Sequence, residues 1–240
     1  MGPPVFWSPS LAADPAAGVV RLDGPEGHHA AVVRRLTMGE RVRLTDGAGI
    51  VADGVVREVQ KRTVDVSVES RRGVPRPVPR LTVVQAVPKT DRAELAVQAL
   101  TEVGVDRVIP WAANRSQVRL SGERAGRLVD RWRAWAHEAS KQSRRAWFCE
   151  VTDVATTAGV GALLGQSDLP LVLHEDAVAA LSVDGRAADV VLVVGPEGGI
   201  TPAELDVLGV APVRLGDTVL RTSTAGAVAA GIVLATTRWR

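Results

Sequence analysis

The residues best suited to chemistry lie in two glycine-bearing stretches near the end of the chain. The first is Gly195-Pro196-Glu197-Gly198-Gly199-Ile200-Thr201, preceded by the aliphatic run Val190-Val191-Leu192-Val193-Val194. Such a run reads as a strand buried on both faces. Pro196 fixes its own φ, and glycines reach φ values closed to other residues. Thr201 and Glu204 have the spacing of a capping box, with Pro202 at the first helical position. The predicted order is strand, tight loop, helix. Backbone groups of such a loop can approach a ligand closely, and in open α/β sheets ligands bind beyond the carboxyl ends of strands. The second stretch, Val213-Arg214-Leu215-Gly216-Asp217-Thr218-Val219-Leu220-Arg221-Thr222-Ser223-Thr224-Ala225, repeats the pattern. Thr222 or Ser223 is placed to cap a small-residue helix from Ala225 to Thr236. Either loop alone passes for an ordinary βα turn. Two so close in sequence can line one pocket.

Other elements must bring these loops together. Leu81 to Val87 and Val105 to Trp111 read as buried strands, and Leu171-Val172-Leu173-His174-Glu175 as a third ending in polar groups. The 190–194 and 213–215 strands complete the set. Ala93 to Val103 has helical spacing with Leu95, Ala96, Ala99 and Leu100 inward, and Gly122 to Ser140 reads as a long helix. Alternating strands and helices predict a mostly parallel sheet. On general grounds it is unknotted and doubly wound, since true knots are rare. Residues 1–73 follow another pattern. Val19 to Leu22 is a short strand, and Gly27 to Leu36 has helical spacing with Val32, Val33 and Leu36 on one face. Arg41 to Thr45 runs into Asp46-Gly47, a hairpin signal, and Ile50–Val59 and Thr63–Val68 alternate with a period of two. A β-rich barrel or half-barrel over 1–73 is expected. The proline-rich connector Gly73 to Pro79 joins it to an α/β domain over 74–240.

Composition narrows the function classes. At 240 residues and 46% hydrophobic content the chain can bury a sizeable core and is not compositionally disordered. The single cysteine, Cys149, excludes an internal disulfide and a cysteine-based zinc site, which fits a cytoplasmic location. No signal-peptide pattern opens the chain, and the apolar run Ala225 to Ala235 is too short to span a bilayer, so no membrane partner is expected. The four histidines lack metal-ligand spacing, and no metal is expected. Net charge is only +2, yet residues 1–150 carry 24 basic against 17 acidic residues, and residues 151–240 carry 5 against 10. A basic front suggests an anionic partner gripped mainly by the first part. Arg127, Arg131, Trp132, Arg133, Trp135, Lys141, Arg144 and Arg145 concentrate cations and aromatics in one segment. RNA phosphates and bases need both. The alternative is a solvated helix face with its tryptophans in the core.

Together, Gly195-Pro196-Glu197-Gly198-Gly199-Ile200 and Leu215-Gly216-x-x-Val219-Leu220-Arg221-Thr222-x-Thr224-Ala225 resemble the RsmE family. Its members are SPOUT-superfamily methyltransferases that modify uridine N3 in 16S ribosomal RNA. The likeness spans essentially the whole chain. His28-His29-x-x-x-Val33-Arg34-Arg35 is similar to the family's PUA-like RNA-binding module. Lys89 to Arg92, Glu102-x-Gly104-Val105 and Gln142-Ser143-x-Arg145 are similar to further family stretches. The resemblance implies a trefoil knot in the second domain, bound S-adenosylmethionine, a homodimer, and 16S rRNA of the small ribosomal subunit as substrate. Cofactor contacts are expected from Leu173, His174, Glu175, Val194, Gly195, Pro196, Glu197, Gly198, Gly199, Ile200, Leu215, Gly216, Val219, Leu220, Thr222, Thr224 and Ala225. RNA contacts are expected from His28, Arg34, Arg35, Lys89, Arg92, Gln142, Arg144 and Arg145. Two stretches depart from the family pattern. Ser223 stands where a glutamate is usual, and Lys141-Gln142-Ser143-Arg144-Arg145 where Glu-Gln-Ser-Gly-Arg is usual.

Methyl transfer to uridine N3 requires loss of the N3 proton and stabilisation of the anion. Positioning does most of the rest. Arg221 is the expected ligand of a phosphate or of the developing oxyanion, with a structural salt bridge as its alternative role. Glu197 is a candidate to accept the proton or hold the cofactor loop, and Glu138 a weaker one for the base. The target base must be unpaired or flipped. Methylation of another RNA atom, such as a ribose 2′-hydroxyl, and a non-catalytic RNA-binding assembly factor are the competing readings. A phosphate-binding nucleotidase is disfavoured because no Gly-Lys-Ser/Thr follows the first loop.

Overall fold

The run at 190–194 lies in the interior of a parallel sheet, and the N-terminal strands build a second, mostly antiparallel one. The computed structural model describes residues 2–13, 18–88, 90–116, 122–183 and 185–239. They group into two units, residues 1–76 with 141–148, and residues 77–140 with 149–240.

The first unit contains β1 (Val5–Trp7), α1 (Ser10–Ala13), β2 (Val19–Leu22), α2 (Gly24–His28), a π-helical turn (His29–Val33), β3 (Arg41–Thr45), β4 (Ile50–Val59) and β5 (Val64–Gly73). The sheet order is β1-β3-β4-β5-β2, with β1 parallel to β3 and the rest antiparallel. Register shifts between Asp53 and Gly54 and between Val56 and Glu58 bend β4, and the sheet curls into a half-barrel. Phe6, Leu22, Leu44, Val64 and Val66 fill its concave face. At the expected hairpin, the Asp46 carboxylate accepts from the amides of Ala48 (2.7 Å) and Ile50 (2.9 Å). The helix expected after Gly27 differs from prediction. Arg34 N–H donates to the carbonyl of His29 at 2.8 Å, five residues back. That wider turn shifts the helical phase. Ala30 and Leu36 point inward, while Val32 (44% exposed) and Val33 (63%) do not share their face.

Residues 141–148 belong to this unit. The indole of Trp147 donates to the Val74 carbonyl (2.8 Å), and the Arg76 guanidinium lies 4.2 Å from the Trp147 ring centroid. Lys141 is buried and ion-paired with Glu26. Arg144, where the resembling family usually has glycine, sits at φ +58°, a region that favours glycine.

The second unit contains β6 (Arg80–Ala86), α3 (Thr90–Val103), β7 (Arg107–Trp111), α4 (Gly122–Gln142), β8 (Glu150–Val151), α5 (Thr157–Leu164), β9 (Leu169–Val172), β10 (Ala179–Ala180), β11 (Asp189–Val194), α6 (Pro202–Leu208), β12 (Val213–Arg214) and α7 (Thr222–Thr237). The main sheet is fully parallel, in the order β8-β7-β6-β11-β9. Alternate residues of β11 serve two cores. Val190, Leu192 and Val194 pack with Trp132, Val97 and Leu234, whereas Val191 and Val193 pack with Trp111, Val160 and Leu208. Burial on both faces explains the unbroken aliphatic run. Two expectations need correction. The segment at 213–215 forms no ladder in the main sheet; β12 pairs with β10 and meets the exit of β9 only through a single parallel bridge between Val213 and Leu173. On α3 the inward residues are Ala93, Ala96, Val97 and Leu100, and Leu95 is 51% exposed. No helix among the described residues is long and apolar enough to cross a membrane.

Candidate cofactor cavity

The capping box is realised in full. Thr201 Oγ1 accepts from the amide of Glu204 (3.2 Å), and the Glu204 carboxylate accepts from the amide and hydroxyl of Thr201 (3.0 and 2.7 Å). This fixes the start of α6 and thereby the end of the loop at 195–200. Within that loop Gly199 takes φ +74°, which needs glycine. A side chain at Gly198 would meet Arg115, whose guanidinium donates to the Gly198 carbonyl at 3.0 Å. Glu204 also reaches across the fold. It is 2% exposed, and its second oxygen accepts from the Asn114 amide at 2.8 Å. Burial opposes its ionisation, but the hydrogen bonds from Asn114, Thr201 and Thr157 outweigh that and hold its carboxyl below the usual range. At the far end of α6, Gly209 at φ +66° donates to the Leu205 carbonyl and turns the chain back.

The second loop enters beside the first. The His174 amide donates to the Val213 carbonyl (3.0 Å), and the Leu181 amide to the Arg214 carbonyl (2.8 Å). β12 is thus held between the exit of β9 and β10. The chain then crosses 215–220 and starts α7 with Arg221 as N-cap. Neither Thr222 nor Ser223 caps as expected, since both are buried inside the helix. The Thr224 hydroxyl instead donates to the Arg221 carbonyl at 3.1 Å. From the sheet below, Gln85 donates to the Thr222 carbonyl at 3.2 Å.

Between the two loops lies a cavity of about 300 Å³, at the carboxyl ends of β11 and β9. That volume suits a small ligand. Its lining includes Leu173, His174, Glu175, Val194, Gly195, Pro196, Glu197, Gly199, Ile200, Leu215, Gly216, Val219, Leu220, Arg221, Thr222 and Ala225, all singled out from the sequence. Arg214, Asp217 and Thr218 also line it and were not expected. Gly198 and Thr224 are not part of the lining. Arg221 is exposed and forms no ion pair among the described residues, so nothing there supports its structural alternative. Glu197 is exposed at the cavity, whereas Glu138, on α4, does not line it. The apolar residues Leu173, Ile200, Leu215 and Leu220 suit a flat ring. The exposed carboxylates of Glu175 and Glu197 suit a ligand carrying positive charge.

The residues expected to touch RNA differ in exposure. Arg34, Arg35, Gln142 and Arg144 are exposed. His28 is half-buried and its Nδ1 accepts from Arg62 at 3.4 Å. Arg145 donates to the Trp147 carbonyl at 2.8 Å, Arg92 is half-buried, and Lys89 lies outside the described residues. Besides Arg214, Asp217 and Thr218, sequence reasoning missed Glu204 and Arg115, which brace the first loop from outside the cavity. The capping-box spacing pointed to Glu204 only as a cap.

Comparison with known proteins agrees with this geometry. Residues 74–234 match the RNA methyltransferase domain family, and residues 22–69 match the RNA methyltransferase PUA domain family. The chain is 43% identical to ribosomal RNA small subunit methyltransferase E of Mycobacterium bovis, covering 98% of this chain and 93% of that protein. It is 30% identical to the protein of the same name from Bacillus subtilis, covering 85% of each. Among solved structures, a Legionella pneumophila methyltransferase in complex with S-adenosylmethionine superposes with a TM-score of 0.86 at 26% identity, covering 99% of both chains.

Proposed function

This chain belongs to the ribosomal RNA small subunit methyltransferase E family, and from that membership we propose that it methylates N3 of a uridine in 16S rRNA of the small ribosomal subunit. It is an S-adenosylmethionine-dependent rRNA methyltransferase. The observation that carries the site assignment is the cavity built jointly by the loops at 195–200 and 215–221. When bound, S-adenosylmethionine supplies an electrophilic methyl group on a sulfonium. Backbone groups of Leu173, Gly195, Ile200, Leu215 and Leu220 would hold its adenosine and amino-acid parts, and the carboxylates of Glu175 and Glu197 would offset its positive charge. Arg221 binds the uridine oxyanion that forms as N3 loses its proton, which stabilises charge where it develops. Glu197 or solvent receives that proton.

The remaining assignments belong to the same proposal. Residues 1–73 act as an RNA-binding domain whose backbone contacts are salt-sensitive. Residues 74–240 act as the methyltransferase domain with a trefoil knot, and the protein works in the cytoplasm. A homodimer is supported by exposed Leu95 on α3 and by exposed Val228 and Ile232 on the neighbouring α7. Sedimentation of the full chain tests that state. The activity is tested by incubating purified small subunits with this protein and S-adenosylmethionine, then mapping the product by nucleoside mass spectrometry. Recovery of a 2′-O-methyl nucleoside instead of N3-methyluridine would reassign the target atom.

A further inference from the structure

The arginine- and tryptophan-rich helix plays no part in the cofactor cavity. Along α4, Arg124, Leu128, Arg131, Trp132 and Trp135 recur at helical spacing and form one stripe. With Val87, Pro88 and Ala93, that stripe lines a small cleft. Its buried members, Val87, Pro88, Ala93, Leu128 and Trp132, are apolar. Its outer members are Arg124 and Arg131, both exposed, and Trp135, half-exposed.

Two of the three acids of α4 pair with other arginines of the helix, and the third, Glu138, does not line the cleft. Glu123 pairs with Arg127 at 3.0 Å, and Asp130 with Arg133 at 3.5 Å. Arg124 forms no ion pair among the described residues. Arg131 donates only to the Arg127 carbonyl, at 3.4 Å. The Trp132 indole N–H is buried without a partner among the described residues. The cleft therefore combines an apolar floor, an aromatic edge and two uncompensated guanidinium groups. Its location follows from the sheet. β6 and β11 are parallel neighbours with Gln85 opposite Val194. Val87 and Pro88 therefore leave the sheet at the same edge as Gly195 and Pro196.

We propose that the rim of this cleft, whose interior of about 40 Å³ is too small for a base, seats one unpaired base of the RNA substrate, outside the methylated nucleotide, stacked on Trp135 with its flanking phosphates on Arg124 and Arg131. The proposal rests on the reading of the protein as an RNA methyltransferase. Stacking on an aromatic suits any base, and guanidinium groups suit the phosphates beside it.

The test uses the full chain in two assays. In methyl transfer to purified small subunits, Trp135→Ala raises KM roughly tenfold, in line with a lost base–aromatic contact. The kcat and the affinity for S-adenosylmethionine stay at wild-type values, the Tm falls because Trp135 also packs against the core, and Trp135→Phe restores most of the KM. Arg124→Gln with Arg131→Gln raises KM and weakens its salt dependence, whereas Arg127→Gln, already paired on the helix, changes KM less than about twofold. In the second assay, binding of a short single-stranded RNA is compared with its abasic counterpart. The wild type prefers the RNA that carries bases, and Trp135→Ala loses that preference. An unchanged KM in Trp135→Ala, or equal wild-type affinity for both RNAs, overturns the proposal. Absence of any methyl transfer by the wild type would instead count against the functional reading, and the binding assay would still decide the cleft.

Discussion

The two loops that enclose the cavity are held very differently. The loop at 195–200 is anchored at both ends and in the middle. It leaves a buried strand, packs Ile200 into the core, gives its Gly198 carbonyl to Arg115, and ends on a capping box whose glutamate also binds the Asn114 amide. The loop at 215–220 has little of this. Gly216, Asp217, Thr218 and Val219 are exposed, Val219 at 78%, and the one side-chain pair there joins Arg214 to exposed Asp217. One wall is pinned along its length, and the other is held at its ends, where Leu215 and Leu220 pack on the core, with residues 216–219 exposed between them. Ligand-binding segments are drawn from the less stable parts of a fold. The difference teaches that the first loop sets where the cofactor lies and the second sets how tightly it is enclosed.

Removing Glu204 should have the largest effect. Glu204→Ala leaves the Thr201 and Asn114 amides without their acceptor and should destabilise the fold by about 3 kcal/mol. S-adenosylmethionine affinity should fall with it, and chemical denaturation with calorimetry measures both. If Glu204→Ala bound the cofactor normally, the first loop would not be the rigid wall. Next is Arg221→Ala, expected to lower kcat on small subunits roughly a hundredfold while stability is kept, since the side chain has no ion pair among the described residues. A smaller effect follows from acid. The Glu204 carboxyl titrates below the usual range in the folded protein, so its contribution is present at neutral pH and is lost as pH falls below the ordinary value of 4.5. Glu204→Gln should flatten that part of the stability profile. Least of all, Asp217→Asn should shift stability by under about 0.5 kcal/mol, because the exposed Arg214–Asp217 pair is well solvated. Hydrogen exchange sharpens the contrast further. Amides at 216–220 should gain protection when S-adenosylmethionine binds, and those of Glu204 and Leu205, which already donate to Thr201, should be protected without it.

What the sequence disclosed was chiefly local chemistry. The run at 190–194 and the Thr201–Pro202–Glu204 box are decided by neighbouring side chains, and both formed as expected. What escaped depends on distant partners or on small changes of phase. The Asn114 amide that binds Glu204 is 90 residues away. The pairing of β12 with β10 involves strands of two residues each, too short for any periodicity to show. The orientation of Val32 and Val33 turned on one π-helical turn, which a spacing of 3.6 does not anticipate. Leu95, read as inward, faces outward on the helix that the proposed dimer would cover.

The connection between the two loops runs through α6, seven residues closed by a left-handed Gly209. Each residue of an α-helix advances the chain by about 100°. Adding or deleting one residue in α6 would swing the arrival of β12 around the helix axis and aim the second loop away from the first. The short helix is in this sense a ruler, and the enclosure it measures out should tolerate changes of side chain along α6 far better than changes of its length.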